Sequence, residues 1–237
     1  MDKVLDLMRW LPWYDWAAVL WFFVAWTGYA TFAKRRAAQK PSILASTNRI
    51  RWEWMLQTTK REVRVVDGVV VQNLSTSPSF FASTTILIIG GLLALLSTTE
   101  KATELVRDLP FAARTTTLVF DLKLLLLLMV FIYAFFRFTW SMRQYTFGAL
   151  LIGAAPEPHE FDAGVMPREA FADRAGGVMA MAAETFNDGL RAYYMSFAAI
   201  AWFFSPLAFA VGTAMVVYVL YQREFHSDVL SMLNKKA

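Results

Sequence analysis

The stretch AYYMSFAAIAWFFSPLAFAVGTAMVVYVLYQ, residues 192–222, contains no charged residue. A helix that crosses the hydrocarbon core of a bilayer needs about 20 apolar residues, and this stretch exceeds that length. It therefore predicts a membrane protein. The composition agrees, because hydrophobic residues make up 57% of the chain and charged residues 18%, whereas soluble domains carry roughly 25% charged residues.

Four apolar segments qualify as membrane spans, which predicts an all-α polytopic protein with residues 1–237 as one integral membrane domain. Ser77 and Pro78 are expected to start the second helix, and Pro206 is expected to kink the fourth. The apolar piece at 147–155 offers a short re-entrant segment as an alternative. The predicted spans are about 16–33, 79–97, 117–136 and 195–217.

Lysine and arginine are distributed unevenly between the two sides of these spans. The loops 34–77 and 137–191 hold nine and five of them, against eight on the opposite side. Because basic residues accumulate on the cytoplasmic side, both long loops are predicted to be cytoplasmic and both termini to lie outside.

The two inner loops are expected to carry amphipathic helices, at about 42–64 and 168–191, with the second running on into the fourth span. The segment VRVVDGVVVQ at 63–72 is ambiguous. Asp67-Gly68 suits a hairpin with a type I′ turn. A helix that breaks at this pair and restarts, with Asp67 as its cap, is the competing interpretation.

The segment 42–64 combines basic residues with tryptophans, which is typical of a helix lying on anionic lipid. Docking to a soluble partner is the alternative. The predicted membrane-surface residues are Arg49, Arg51, Trp52, Trp54, Lys60, Arg61 and Arg64.

Polar residues also flank the third and fourth spans on their inner side. Antiparallel spans joined by an inner loop place such groups at one depth, where a lipid phosphate or an anionic partner is one hypothesis. Positive-inside anchoring without any ligand is the other. The residues of this inner mouth are Arg137, Arg143, Gln144, Asn187, Asp188 and Arg191.

Asp121 and Lys123 are charged residues at the start of the third span. They suggest an ion or proton path, or else an interfacial pair in which Lys123 snorkels outward. The acidic loop PEPHEFD at 156–162 suits a solvated loop better than a Mg²⁺ or Ca²⁺ site. The chain has no cysteine, which excludes disulfides and thiolate metal sites. No metal or cofactor is predicted.

The chain shows no nucleophile–base pair, phosphate loop or dinucleotide fingerprint. This favours a structural or interaction protein over an enzyme: a lipid-binding or complex-forming subunit, with anionic lipids, further copies of itself or a larger membrane complex as partners. Nucleic acid is not expected, because topology explains the basic residues. An oligomeric channel or small-solute transporter is the alternative, and an enzyme at the membrane surface ranks third.

Long stretches spread over most of the chain resemble a bacterial inner-membrane family known as domain of unknown function 599. They are SFFASTTILIIGGLLALL at 79–96, FRFTWSMRQYTFGALLIGAAP at 136–156, FNDGLRAYYMSFAAIAWF at 186–203 and LYQREFHSDVL at 220–230. The resemblance implies a helical multi-span protein of the bacterial inner membrane, with both termini periplasmic under the orientation above. It favours helix over hairpin at 63–72, and it implies no particular activity.

Overall fold

The computed structural model describes residues 11–37, 39–98 and 116–235. Within these ranges all regular secondary structure is helical, which confirms the all-α prediction. The basic residues counted between 98 and 116 lie outside the described residues. The described helices are α1 Trp13–Ala37, α2 Ile43–Thr58, α3 Val65–Ser97, α4 Thr117–Gly153, α5 Pro158–Asp162, α6 Arg168–Ala201, α7 Pro206–Phe225 and α8 Asp228–Leu233.

The chain forms two compact units, and the five long helices α1, α3, α4, α6 and α7 contribute residues to both. Unit 1 comprises residues 1–35, 85–134 and 190–222, and unit 2 comprises 36–84, 135–189 and 223–237. In unit 1 the ring of Phe209 packs on Trp202 and Phe22, with centroids 5.2 and 5.1 Å away. The core of unit 2 is built mainly from Met55, Tyr145, Ile152, Phe171 and Met179.

Three of the described helices, α1, α3 and α4, are long and apolar enough to cross a membrane. The fourth predicted span was expected to be one helix kinked at Pro206. That expectation was wrong, because the span is divided between two helices. Helix α6 ends at Ala201 and α7 begins at Pro206. Proline has no N–H to continue the helical bonding and its ring clashes with the preceding turn, so it starts a new helix here. Ser205 caps that helix, its Oγ accepting from the Ala208 N–H at 2.9 Å.

Helix α3 begins at Val65, so the expectation that Ser77 and Pro78 start the second helix was also wrong. Pro78 is buried inside α3. Pro78 has no N–H to donate to the carbonyl of Leu74, one turn earlier in the helix. Proline is tolerated in apolar helices where neighbouring groups and local adjustments compensate for the lost bond.

The ambiguous segment 63–72 is helical from Val65 onward, and the helix continues through Asp67-Gly68 without the break and the Asp67 cap that the helical interpretation expected. The Gly68 N–H donates to the Arg64 carbonyl at 3.1 Å, a bond that a hairpin turn at Asp67-Gly68 lacks. The valines favour a strand by intrinsic preference, but tertiary contacts of Asp67 and burial of Val71 outweigh that preference here.

Helix α4 is much longer than its predicted span and continues to Gly153. It therefore includes most of 147–155, which is not a re-entrant segment. Helix α6 runs from Arg168 to Ala201 without a break, as expected for an inner helix that continues into the apolar run. Helix α2 is shorter than the predicted 42–64. It is capped by Ser42, whose Oγ accepts from the Ala45 N–H at 3.1 Å, and it ends at Thr58.

Candidate functional site

Two of the predicted inner-mouth residues, Arg137 on α4 and Asp188 on α6, form an ion pair in unit 2. The helices approach closely around this pair. A Cβ added at Gly189 would lie 2.5 Å from the Phe138 ring, and Ser141 Oγ donates to the Ala182 carbonyl at 2.7 Å. The aspartate is buried, so the arginine neutralises a charge that would otherwise be costly in this packed interface.

The other predicted mouth residues differ in exposure and in surroundings. Arg143 is exposed and Asn187 is half-buried. Gln144 is buried, and its Oε1 has no hydrogen-bond partner among the residues that the structure describes. Arg191 belongs to unit 1, where its guanidinium lies 5.8 Å from the centroid of the Tyr29 ring. Since Arg137 is neutralised by Asp188, an anion site that needs all three arginines has little geometric support.

The predicted membrane-surface residues divide into internal and exposed groups within unit 2. The indoles of Trp52 and Trp54 donate to Asp173 and Asp67, each at 2.7 Å. Arg64 donates to the Ala155 carbonyl at 2.8 Å. These side chains are therefore used to hold unit 2 together.

Arg51 is also used internally. It donates to Asn48 Oδ1 at 2.9 Å, and the amide of Asn48 donates to Glu184 at 3.0 Å. Burial lowers the pKa of the Arg51 guanidinium, while Tyr145 and Glu184 act in the opposite direction. By contrast, Arg49, Lys60 and Arg61 are exposed.

Asp67 is a buried hydrogen-bond acceptor, whereas the sequence pattern suggested only a turn residue or a helix cap. It is fully buried and accepts from Trp54, from Thr58 Oγ1 at 3.2 Å and from Arg61. Its position in the first turn of α3 also suits a negative charge. The available signal was a single acid inside a run of valines, which is expensive to bury without partners.

Arg168 has a similar structural role and was also missed. Its guanidinium donates to the carbonyls of Thr59 and Pro158 and pairs with Asp162. Asp162 thus serves an ion pair, and Glu160 accepts from the Glu157 N–H at 2.8 Å. No group of three His, Cys, Asp or Glu side chains in the described ranges is arranged to hold a metal ion.

Unit 1 contains buried charges. Lys123 is only 2% exposed, and its ammonium lies 5.6 Å from the Trp202 ring and 5.8 Å from the Phe203 ring. Asp15 is buried as well, accepts from Trp202 Nε1 at 2.6 Å and acts electrostatically on Lys123. The expectation that Lys123 snorkels outward was therefore wrong, because the aromatic rings and Asp15 offer the ammonium an internal environment.

An apolar cavity of about 570 Å³ lies between α1 and α4, also within unit 1. Its walls include Phe23 and Trp26 of α1 and Leu125, Met129 and Tyr133 of α4. The rings of Trp26 and Tyr133 meet edge to face with centroids 5.5 Å apart. This cavity could not be predicted from the sequence, because the residues that line it on each helix form an ordinary apolar helix face.

A protein-family model described as "Protein of unknown function, DUF599" matches residues 17–229. This range includes all or nearly all of the long helices and most of both units. No curated protein and no solved structure matches the chain.

Proposed function

The chain belongs to the DUF599 family, and from that premise we propose that it is a multi-spanning inner-membrane protein that forms a homo-oligomer through helix α3. The observation that carries this proposal is the exposure of α3. Only 11% of its most apolar stretch is buried, against 50% for α4. A helix of 33 residues is about 50 Å long, whereas the hydrocarbon core is about 30 Å thick. Lipid alone therefore does not cover the whole apolar face.

Apolar and polar residues alternate in blocks along the exposed face of α3, and this sequence of blocks is complementary to a second copy of the helix. It begins with Val65, Val66, Val69 and Val70, continues through the exposed polar residues 72, 73, 76 and 77, and becomes apolar again from Phe80 onward. Copies inserted in the same membrane share one orientation, so a two-fold parallel pair brings valine against valine and polar against polar. Gly90 and Gly91 face open space, which permits close approach of helix backbones.

The oligomer is tested by one charge placed on this face. Val66 and Val165 both belong to unit 2 and are 68% and 67% exposed, but Val165 lies outside α3. In gentle detergent, light scattering should give an oligomeric mass for the wild-type chain and for Val165→Glu. Val66→Glu should be largely monomeric, because it buries an unpaired charge. A monomeric wild type, or a Val66→Glu chain that assembles like the wild type, would falsify the proposal.

For the topology we propose five passes, made by α1, α3, α4, the apolar end of α6, and α7. Helix α7 folds back along α6 within unit 1, because a Cβ added at Gly212 would lie 3.6 Å from both Ala198 and Ala201. Helix α8 packs on α2 within unit 2, where Ser46 Oγ donates to Asn234 Oδ1 at 3.2 Å, so the C-terminal segment belongs on the same side as α2. With the basic bias of 34–77 and 137–191, α2 and the C-terminus are then cytoplasmic and the N-terminus lies outside. A reporter active only in the cytoplasm, fused after residue 237, should give a signal, and a silent reporter would contradict this orientation.

Anionic lipid remains a proposed partner, now through exposed Arg49 and Lys60 rather than the whole predicted set. Each basic residue near an anionic surface contributes about 1 kcal/mol. Reversing both to glutamate should lower the anionic lipid retained on purification, whereas retention of phosphatidylcholine, which has no net charge, should stay unchanged. Unchanged retention of the anionic lipid in the double variant would argue against this contact.

A channel is the second candidate, and the buried charges of unit 1 favour it. Asp15 and Lys123 are buried charged residues within unit 1, and ionisable groups buried inside a membrane domain often mark ion or proton paths. Reconstituted wild-type chains should then conduct, and Lys123→Met should alter the conductance. The absence of conductance from oligomeric preparations would remove this candidate while leaving the oligomer itself intact.

A further inference from the structure

We propose that the cavity between α1 and α4 binds one acyl chain of an amine-bearing phospholipid, with the headgroup at the end where Trp16 and Asp121 lie. This inference rests on membrane insertion and is independent of the oligomer proposed for α3. The cavity of about 570 Å³ falls within the range of roughly 300–1,000 Å³ that is usual for ligand sites.

The shape of the cavity fits a lipid tail. Along α1 its wall runs from Trp16 to Ala30, a rise of about 21 Å at 1.5 Å per residue. One leaflet contributes about half of a hydrocarbon core that is about 30 Å thick, so a chain from one leaflet fits along this wall. The lining is aromatic and aliphatic over this length, with Phe23, Leu125 and Met129 among its residues.

Two polar atoms near one end of the cavity lack a partner among the described residues, one on Trp16, which lines the cavity, and one on Asp121, which directly precedes the lining residue Leu122. The Nε1 of Trp16 and the Oδ1 of Asp121 are buried, and neither has a hydrogen-bond partner within the described ranges. Asp121 precedes Leu125 by one helical turn on the same face of α4. A buried donor and a buried acceptor are costly when left unpaired, so both indicate a polar group at this position.

The contact between the Trp26 and Tyr133 rings fixes the register of α1 against α4 and places Trp16 and Asp121 at the same end of the cavity. Trp16 lies about 15 Å and Asp121 about 18 Å before that contact along their helices, at 1.5 Å per residue. Trp16 and Leu122 both line the cavity there, so α1 and α4 run in the same direction beside it. The polar atoms are thus within the first turns of α1 and α4, where headgroups are expected.

The charges nearby select the kind of headgroup. The ammonium of Lys123 is accommodated by the Trp202 and Phe203 rings and by the field of Asp15. Asp121 is left as an uncompensated acceptor. An ethanolamine ammonium can donate to its carboxylate, while the phosphate of the same lipid accepts from the Trp16 indole. A lipid that bears only negative charge lacks the first of these interactions.

The site is tested on the full chain in mild detergent, incubated separately with dioleoyl phosphatidylethanolamine and dioleoyl phosphatidylglycerol and analysed by native mass spectrometry. Met129 lines the cavity and is 63% exposed, whereas Met215 on α7 is 66% exposed and lies outside its lining. Met129→Trp should fill the cavity and reduce retained phosphatidylethanolamine about tenfold, while Met215→Trp should behave as the wild type. Equal retention by Met129→Trp and the wild type would overturn the cavity as the binding site.

The headgroup assignment has its own variant. Asp121→Asn keeps the size of the side chain and removes its charge, so it should reduce the preference for phosphatidylethanolamine over phosphatidylglycerol by about tenfold. Equal retention of the two lipids by the wild-type chain would overturn the assignment. The Val66→Glu chain should retain phosphatidylethanolamine normally, which separates this result from the fate of the oligomer.

Discussion

Replacing Asp67 with alanine removes the acceptor on which three side chains of unit 2 converge. The carboxylate is fully buried and accepts from Trp54 at 2.7 Å, from Thr58 at 3.2 Å and from Arg61. A hydrogen bond to a charged group contributes about 1.5–3 kcal/mol. Arg61 is 43% exposed, so water satisfies it after the change, and its share is small. We expect Asp67→Ala to lower the free energy of unfolding by about 3 kcal/mol.

Asp173→Ala is the matched control for this experiment. Asp173 also accepts from a tryptophan indole at 2.7 Å, but it is exposed. Water replaces the lost bond, and the cost should be about 0.5 kcal/mol. Unfolding of the full chain in mixed mild-detergent and dodecyl sulfate micelles, followed by circular dichroism, measures both variants. Equal losses would refute the reasoning that burial gives Asp67 its importance.

Two further pairs of variants use the same unfolding measurement. Gly189→Ala should cost about 1–3 kcal/mol because its Cβ would overlap an aromatic ring, whereas Gly177→Ala in the same helix meets open space and should add about 0.5–1 kcal/mol. Arg137→Ala leaves a buried carboxylate without its ion pair and should cost about 2 kcal/mol, while Arg143→Ala on the exposed face should stay within about 0.5 kcal/mol. Similar values within either pair would contradict the corresponding packing or pairing argument.

The sequence predicted the helical class and the positions of the apolar helices because both depend on composition along a single segment. Residues 168–201 illustrate this, since a continuous pattern correctly predicted a continuous helix. Pro78 and Pro206 show where the approach fails. Both prolines follow a serine, yet Pro78 lies within a helix and Pro206 begins one. Local chemistry permits either outcome, and the surrounding contacts decide.

The candidate sites were harder to predict because they depend on contacts between distant segments. Arg64 reads as a surface cation in its own helix-forming stretch, but its donors reach the carbonyls of Ala155 and Pro156. Lys123 reads as an interfacial residue, but aromatic side chains of residues 202 and 203 enclose it. The pattern along one helix contains no information about the element that packs against it. The charge of a residue therefore does not distinguish a binding surface from a hydrogen bond or ion pair inside the protein.

The hydrogen bonds of Arg64, Arg168 and Asn48 join segments that are far apart in the sequence, and this has a consequence for biosynthesis. Their partners lie 91, 109 and 136 residues away in the chain. Translation proceeds at about 5–20 residues per second, so α2 leaves the ribosome some ten seconds before its contacts on α6 exist. During that interval the polar groups of α2 are satisfied only by water or by helper proteins. Unit 2 therefore completes its fold only after α4 has been inserted. Chains with Asn48 or Arg168 replaced should remain unfinished and be retained and degraded at the insertion machinery.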